Sequence, residues 1–132
     1  MSNVPLVQDL YARFAAGDIP GVLAAFDPDI AWYEAESNPY QPGGEPFHGP
    51  QAVLDNLFVR LGADWDGFAV TPETLHDAGD RVVMEGRYTG THRGTGQQLD
   101  AQVCHVWTLR DGKVTRFQQY VDTARLRAVM GA

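Results

Sequence analysis

The sequence predicts a single α+β domain in which helices cover one face of a strongly curved, mostly antiparallel sheet. Three observations support this: apolar residues recur at helical spacing near the start of the chain, a further helical stretch follows Pro50, and the period changes to two from residue 68. A chain of 132 residues can bury one sizeable core but is too short for two, so we assign residues 1–132 to one domain.

Three helices are predicted before the alternating strands. Gly17 can end the first helix, and Asp18 is a plausible N-cap of the second, with Pro20 in its first turn. A third helix begins at Pro50 and can close at Gly62. The apolar faces of these helices consist of Val4, Leu6, Val7, Leu10, Tyr11 and Phe14, then Val22, Leu23 and Phe26, then Val53, Leu54, Leu57, Phe58 and Leu61.

Five strands and a short C-terminal helix complete the prediction. The first strand covers residues 30–35, and the Pro- and Gly-rich residues 37–50 form a long loop. The Asp111-Gly112 pair predicts a tight primed turn between the last two strands. The four alternating strands cover residues 68–76, 81–92, 98–110 and 113–122, and the helix covers residues 123–130.

Composition narrows the functional classes. A net charge of -7 with ten scattered Lys and Arg residues argues against binding to nucleic acid. No apolar segment approaches the roughly 18 residues of a membrane span, and no leader pattern is present, so we expect no membrane partner. The single cysteine, Cys104, requires no oxidising compartment, and we expect a cytoplasmic protein. The histidines lack metal-ligand spacing, so we expect no metal and no cofactor.

Two titratable residues lie among large hydrophobic ones. Alternation puts His105 on the same strand face as Val103 and Trp107, and Glu34 on the same face as Trp32. If these faces point inward, burial would raise the pKa of Glu34 and favour acid–base chemistry near neutral pH. Alternatively, Glu34 is a strand-end residue that is solvated or paired with an arginine, and His105 is a buried histidine bonded to a backbone carbonyl or a neighbouring side chain. If the two side chains touch, we expect an imidazolium stabilised by the carboxylate.

A curved sheet under helices has an interior, and aromatic residues could line a ligand cavity there. The hydroxyl of Tyr40 or Tyr88 could orient a ligand oxygen, and Gln119 could hold the ligand by hydrogen bonding. Gly86 either makes room for an apolar ligand or marks a bulge that sheet curvature needs. Phe47 is a further candidate for the wall. The predicted binding residues are Tyr11, Phe14, Trp32, Tyr40, Phe58, Met84, Tyr88, Trp107, Phe117 and Gln119.

Four groups of residues give the chain a resemblance to a known superfamily. They are Tyr11-Ala12-Arg13-Phe14-Ala15-Ala16-Gly17-Asp18 with Val22-Leu23-Ala24-Ala25-Phe26, Phe47-His48-Gly49-Pro50-Gln51-Ala52-Val53, Trp107-Thr108-Leu109-Arg110-Asp111-Gly112-Lys113-Val114, and Tyr120-Val121-Asp122. In this order they resemble the nuclear transport factor 2-like superfamily, and within it the SnoaL-like or ketosteroid isomerase-like proteins. The resemblance implies a cone-shaped, cystatin-like α+β roll that forms homodimers. Because that fold hosts several enzyme classes and non-catalytic binders, it implies no single activity.

The resemblance also implies roles for individual residues. Glu34 falls where ketosteroid isomerases carry their carboxylate base, and His105 falls where they carry the protonated acid that helps stabilise the enolate. The helix-one tyrosine of those enzymes corresponds to Leu10, beside Tyr11. The base carboxylate that polyketide cyclases carry on the last strand corresponds to Gln119, which cannot accept a proton.

The sequence therefore favours a cavity for a small, mostly apolar molecule that bears a carbonyl or hydroxyl group. In this hypothesis Glu34 moves a proton and His105 donates to the developing oxyanion, as in a cofactor-independent isomerase, cyclase or hydratase. The alternative is a non-catalytic ligand-binding or dimeric assembly domain in which both residues are structural. Under both hypotheses we expect a homodimer through the outer face of the sheet. That face carries Val106, Thr108, Thr115 and Tyr120.

Overall fold

A six-stranded sheet forms the framework of the domain, and the predicted α+β class is confirmed. A computed structural model describes residues 2–132. The strand order is β2-β1-β6-β5-β4-β3, with β1 parallel to β6 and all other neighbours antiparallel. The strands are β1 (Phe26–Tyr33), β2 (Phe47–His48), β3 (Trp65–Ala78), β4 (Arg81–His92), β5 (Gln98–Arg110) and β6 (Lys113–Val121). The sheet is not closed, because β2 and β3 are its two edges.

The helices begin largely where the sequence predicts. They are α1 (Val4–Ala15), α2 (Ile19–Ala24), α3 (Pro50–Val53), a π-helical segment (Leu54–Phe58), α4 (Val59–Asp64) and α5 (Thr123–Met130). Asp18 caps α2, because its carboxylate accepts a hydrogen bond from the Gly21 N–H. The third predicted helix does not close at Gly62 but continues to Asp64, so β3 begins at Trp65 and not at residue 68. No helix within residues 2–132 is long and apolar enough to cross a membrane.

Two predicted boundaries differ because strand pairing overrides the local sequence pattern. The first strand starts at Phe26, which pairs with Val114, and the pairing with β6 resumes at Ala31 after an irregular stretch. Within the predicted loop 37–50, Phe47 and His48 form a two-residue strand that pairs with β1. Gly112 and Asp111 have φ values of 77° and 51°, as a primed turn requires.

A β-bulge explains the glycine in the middle of β4. The pairing of β3 with β4 shifts between Pro72 and Thr74, opposite Gly86. A Cβ atom at position 86 would stand 2.3 Å from the Thr71 carbonyl oxygen and 2.8 Å from the Met84 sulfur. Close approach of the neighbouring backbone therefore requires Gly86, which favours the bulge interpretation over room for a ligand.

The hydrophobic core lies between the helices and one face of the sheet. On β5 and β6 this face carries Trp107, Val114 and Phe117, all at most 4% exposed. They pack with Val7 and Leu10 of α1, which gives the amphipathic first helix its buried face. A second cluster places Met84, Leu99 and Val103 against Leu126 and Val129 of α5. Helices from both ends of the chain therefore cover the sheet.

We predict that Gly86→Ala destabilises the fold by about 1–3 kcal/mol, because the new methyl group overlaps a backbone carbonyl that cannot move freely. Gly62→Ala is the control, since Gly62 lies in α4 and a Cβ there meets no atom within 4 Å. The control should be stabilising by up to about 1 kcal/mol. Urea unfolding measures both, and equal stabilities of the two variants would contradict the bulge interpretation.

Candidate functional site

A cavity opens between the helices and the inner face of the sheet. Its volume is about 60 Å³, and its mouth is open to solvent. Aromatic rings form most of its wall, and no lysine or arginine lines it. Its polar lining residues are Tyr11, Glu34, Asn38, Tyr40, Tyr88, His105 and Gln119, together with the indoles of Trp32, Trp65 and Trp107.

The structure places all of the predicted site residues around this cavity except Met84. Met84 is fully buried in the core on β4, with its sulfur close to Gly86, and so does not reach the cavity. Phe47, a further candidate for the wall, packs against the core outside the cavity. The prediction missed several apolar lining residues, including Leu57, Leu61, Phe68 and Val70.

Glu34 follows the last residue of β1 and is 6% exposed. Its Oε2 accepts a hydrogen bond of 3.3 Å from the Trp32 indole N–H. No buried side-chain oxygen or nitrogen within residues 2–132 lacks a partner, and no hydrogen bond reaches Oε1, so this oxygen keeps some accessible surface in a residue that lines the cavity. Burial raises the pKa of Glu34 to about 8, against a smaller lowering by the Trp32 hydrogen bond. The carboxyl group is therefore mostly protonated at neutral pH.

Gln41 from the long loop holds the backbone beside this carboxyl. Its Oε1 accepts from the Glu34 N–H at 3.0 Å, and its Nε2 donates to the Trp32 carbonyl at 3.1 Å. One amide side chain thus provides the two hydrogen bonds that a neighbouring strand would otherwise make. Sequence patterns carry no signal for this role, because the loop has no periodicity that would distinguish Gln41 from the exposed residues that follow it.

His105 lies on β5 between two tyrosine hydroxyls. Its Nδ1 is 2.7 Å from the hydroxyl of Tyr11, and its Nε2 is hydrogen-bonded to the hydroxyl of Tyr88. Burial lowers the pKa of His105 to about 3, so the imidazole is neutral. Because both ring nitrogens have tyrosine partners, His105 has no free N–H for the predicted donation to a ligand oxyanion. His105 makes no hydrogen bond or ion pair with Glu34, so the expected imidazolium–carboxylate pair does not form.

The two tyrosines are held from the other side by groups that can only donate to them. The Trp107 indole N–H donates to the Tyr11 oxygen at 2.8 Å, and Gln119 Nε2 donates to the Tyr88 oxygen at 2.8 Å. Burial raises the pKa of both phenols, and the nearby Glu34 raises that of Tyr88 further. Both hydroxyl groups therefore keep their hydrogens.

The orientation of the Gln119 amide follows from its neighbours. Its Oε1 accepts from the Ala35 backbone N–H at 3.2 Å and from Asn38 Nδ2 at 2.8 Å. The Asn38 Oδ1 in turn accepts from the Tyr40 backbone N–H at 2.9 Å, which fixes that amide as well. Backbone donors thus direct Gln119 Nε2 towards Tyr88. Asn38 is a site residue that the sequence analysis missed.

Tyr40 does not offer its hydroxyl to the cavity. The hydroxyl donates to Asp64 Oδ2 at 2.7 Å and accepts from the Trp65 indole N–H at 2.9 Å. Burial and the hydrogen bond to Asp64 raise the pKa of Tyr40. Of the two tyrosines predicted to orient a ligand oxygen, only Tyr88 is placed to do so.

The site offers acid–base chemistry rather than ligands for a metal ion. Within residues 2–132, no three His, Cys, Asp or Glu side chains come together as metal ligands. What the cavity contains is one carboxyl group with a free oxygen, and phenol hydroxyls, inside an aromatic wall. Such a site can exchange a proton with a bound molecule and donate hydrogen bonds to its oxygen atoms.

Comparison with known proteins agrees with this architecture. The SnoaL-like domain family matches residues 7–117. The chain belongs to this family. No curated protein matches the chain in sequence.

Several crystal structures share the fold of this SnoaL-like protein over nearly its whole length. An NTF2-like protein from Burkholderia thailandensis E264 is 35% identical, with a TM-score of 0.91 and 98% of both chains covered. An NTF2-like protein of unknown function from Burkholderia pseudomallei K96243 is 28% identical, with a TM-score of 0.88 and 100% of both chains covered. TerC, co-crystallized with polyporic acid, is 27% identical, with a TM-score of 0.86 and 98% of both chains covered.

We predict that the buried carboxyl of Glu34 makes the free energy of unfolding fall as pH rises. The folded-state pKa of about 8 lies above the ordinary glutamate value of 4.5, so this stabilisation is complete below about pH 4.5 and is lost as pH approaches 8. Relative to Glu34→Gln, wild type should lose up to about 1.4 kcal/mol per pH unit in that window.

Urea unfolding between pH 4.5 and 9 measures this difference. Glu36→Gln is the matched control, because Glu36 is exposed two residues further on, and its profile should follow that of wild type. Parallel profiles of wild type and Glu34→Gln would show that the Glu34 carboxyl is not buried in solution.

Proposed function

We propose that the cavity binds a small, mostly apolar molecule with a carbonyl or hydroxyl group, and that Glu34 transfers a proton to or from it. The observation that carries this proposal is the free Oε1 of a buried carboxyl group whose pKa of about 8 lies close to neutral pH. A group with this pKa can both take up and release a proton under ordinary conditions. No such property is needed to stabilise a structural core.

The best-supported reaction is the isomerisation of an enolisable carbonyl compound. The Glu34 carboxylate takes a proton from the carbon next to the carbonyl: the C–H bond breaks, an O–H bond forms on Glu34, and the electron pair moves to the carbonyl oxygen. A tyrosine hydroxyl donates to the resulting enolate oxygen. Glu34 then returns the proton to a different carbon of the conjugated system. The reaction needs no cofactor, because the proton and the electrons all remain within Glu34 and the substrate.

The lining of the cavity supports an uncharged and partly aromatic ligand. Trp32 stacks on Phe117 with ring centroids 3.7 Å apart, and Trp107 meets Phe117 edge-on at 4.7 Å. With no cationic side chain in the wall, a carboxylate or phosphate would lose its hydration without gaining a partner. The related TerC was co-crystallized with polyporic acid, which supports small-molecule binding by a protein of this fold.

A non-catalytic binding domain is the second candidate. It is favoured by the completeness of the hydrogen bonding around His105, since a fully satisfied polar network also stabilises a core without doing chemistry. In this case ligands would bind in the cavity and leave unchanged. A measurement of turnover distinguishes the two candidate functions, because both predict that a ligand binds in the cavity.

We predict that the protein accelerates hydrogen exchange and isomerisation of a β,γ-unsaturated ketone such as cyclohex-3-enone, and that Glu34→Gln lowers the rate by about 10²–10⁴-fold. The rate should rise with pH and level off above about pH 8, as Glu34 ionises. NMR in D₂O follows the exchange, and absorbance follows the conjugated product.

Glu36→Gln serves as the control for this measurement, since its exposed carboxyl should be dispensable. Equal rates of wild type and Glu34→Gln would exclude Glu34 from the mechanism. Binding of the ketone without any exchange would favour the non-catalytic candidate.

We also propose that the chain forms a homodimer through the outer face of the sheet. Tyr120 on β6 is 58% exposed and pairs with Cys104 of β5, on the same outer face of the sheet as Val106. We predict that Tyr120→Lys weakens the dimer, since a charge would replace a ring that the dimer interface would bury. Val59→Lys is the control, because Val59 is 56% exposed on α4. Sedimentation of the wild type as a monomer at micromolar concentration would contradict the proposal.

A further inference from the structure

Tyr11, His105 and Tyr88 form a hydrogen-bonded tyrosine–histidine chain that carries one hydrogen more than the two hydrogen bonds within it can use. The chain runs from Tyr11 through His105 to Tyr88. Each phenol carries one hydrogen, and the neutral imidazole carries one on either Nδ1 or Nε2. Only two contacts, one at each ring nitrogen, link the three side chains. One phenol must therefore donate to His105 while the other accepts from it and keeps its own hydrogen for a different partner.

The groups at the outer ends of the tyrosine–histidine chain cannot accept a hydrogen bond from that extra hydrogen. Trp107 has only an N–H at its indole ring, so the Tyr11 oxygen accepts from it. Gln119 presents its NH₂ group to Tyr88, because its oxygen is held by the backbone N–H of Ala35. Both neighbours are donors. The hydrogen that remains can point only towards the cavity that both tyrosines line.

We propose that His105 is a positioning residue whose neutral tautomer decides which tyrosine donates a hydrogen bond to the ligand. With the hydrogen on Nε2, Tyr11 donates to Nδ1 and Tyr88 offers its hydroxyl hydrogen to the cavity. With the hydrogen on Nδ1, the roles of Tyr11 and Tyr88 are exchanged. Converting the first arrangement into the second moves the Tyr11 hydrogen to Nδ1 and the Nε2 hydrogen to the Tyr88 oxygen. The cavity-side hydrogen of Tyr88 is then released to solvent and Tyr11 takes one up, so no heavy atom of the protein moves.

The two ends of the chain are not equivalent for proton transfer. Tyr88 is joined to the backbone beside Glu34 through a single amide, that of Gln119, which also bonds Ala35. Tyr11 lies at the other end, on α1 beside Trp107. A ligand oxygen held next to Glu34 would thus select the Nε2–H tautomer. The inference that a ligand selects the tautomer rests on the proposed function for the identity and position of that ligand.

The tautomer can be tested without any ligand. In Tyr11→Phe the oxygen that could accept from Nδ1 is removed, which favours the hydrogen on Nε2, where Tyr88 can accept it. In Tyr88→Phe the acceptor at Nε2 is removed, which favours the hydrogen on Nδ1. We predict that the two variants shift the tautomer ratio in opposite directions by about tenfold or more, since the alternative leaves a buried donor unpaired.

The ¹⁵N spectrum of labelled histidine reports which ring nitrogen carries the hydrogen. Tyr40→Phe is the matched control, because the Tyr40 hydroxyl bonds Asp64 and Trp65 outside the chain, and its spectrum should equal that of wild type at His105. Thermal unfolding checks that each variant is folded. The same tautomer in Tyr11→Phe and Tyr88→Phe, or an imidazolium in wild type, would overturn the proposal.

Selection by a ligand is tested in the wild type with cyclohexanone and its hydrocarbon analogue methylenecyclohexane. The ketone oxygen can accept a hydrogen bond and should increase the Nε2–H fraction, whereas the hydrocarbon should leave it unchanged. A bound ketone that does not change the ratio would overturn the selection. A ketone that fails to bind would contradict the proposed function, and the two phenylalanine variants would still decide the tautomer proposal.

Discussion

The domain depends on burying polar side chains without leaving any of them charged or unpaired. Glu34, Asn38, Gln41, His105 and Gln119 are all at most 6% exposed. An unsatisfied polar atom at such a position costs on the order of 1–3 kcal/mol, yet within residues 2–132 none is found. Neutral donors and acceptors alternate from one element to the next, and this alternation allows a polar strip to cross an otherwise aromatic interior.

The same constraint explains why an amide stands where the resemblance to polyketide cyclases would place a carboxylate. Gln119 accepts from the Ala35 N–H with one end and donates to the Tyr88 hydroxyl with the other. A carboxylate could serve only as an acceptor, so the hydrogens around Tyr88 would have to be rearranged. It would also add a second acidic group near Glu34 in a cavity that contains no cation. The acid–base capacity of this site is thus concentrated in a single carboxyl group.

Local chemistry was enough to predict most of the fold and part of the site. The cap at Asp18 and the primed turn at Gly112 follow from the conformations that neighbouring residues allow, and strand alternation gave the burial of His105. The partners of His105 did not follow, because the Tyr11 contact joins residues 94 positions apart, and a single sequence carries no record of such pairing. Asn38 was missed for a related reason, since loop positions have no period that separates buried from exposed residues.

Burial also reverses the usual order of proton affinity in the site. In water an imidazole holds a proton more tightly than a carboxylate does, but here the pKa of Glu34 is about 8 and that of His105 is about 3. Both shifts have the same cause, the lost hydration of the charged form, and no ion pair offsets either. Moving a proton from Glu34 to His105 would therefore cost several kcal/mol, at ~1.4 kcal/mol per pKa unit. The mobile proton stays on the carboxyl that faces the cavity, and the histidine remains a neutral group that distributes hydrogen bonds between the two phenols.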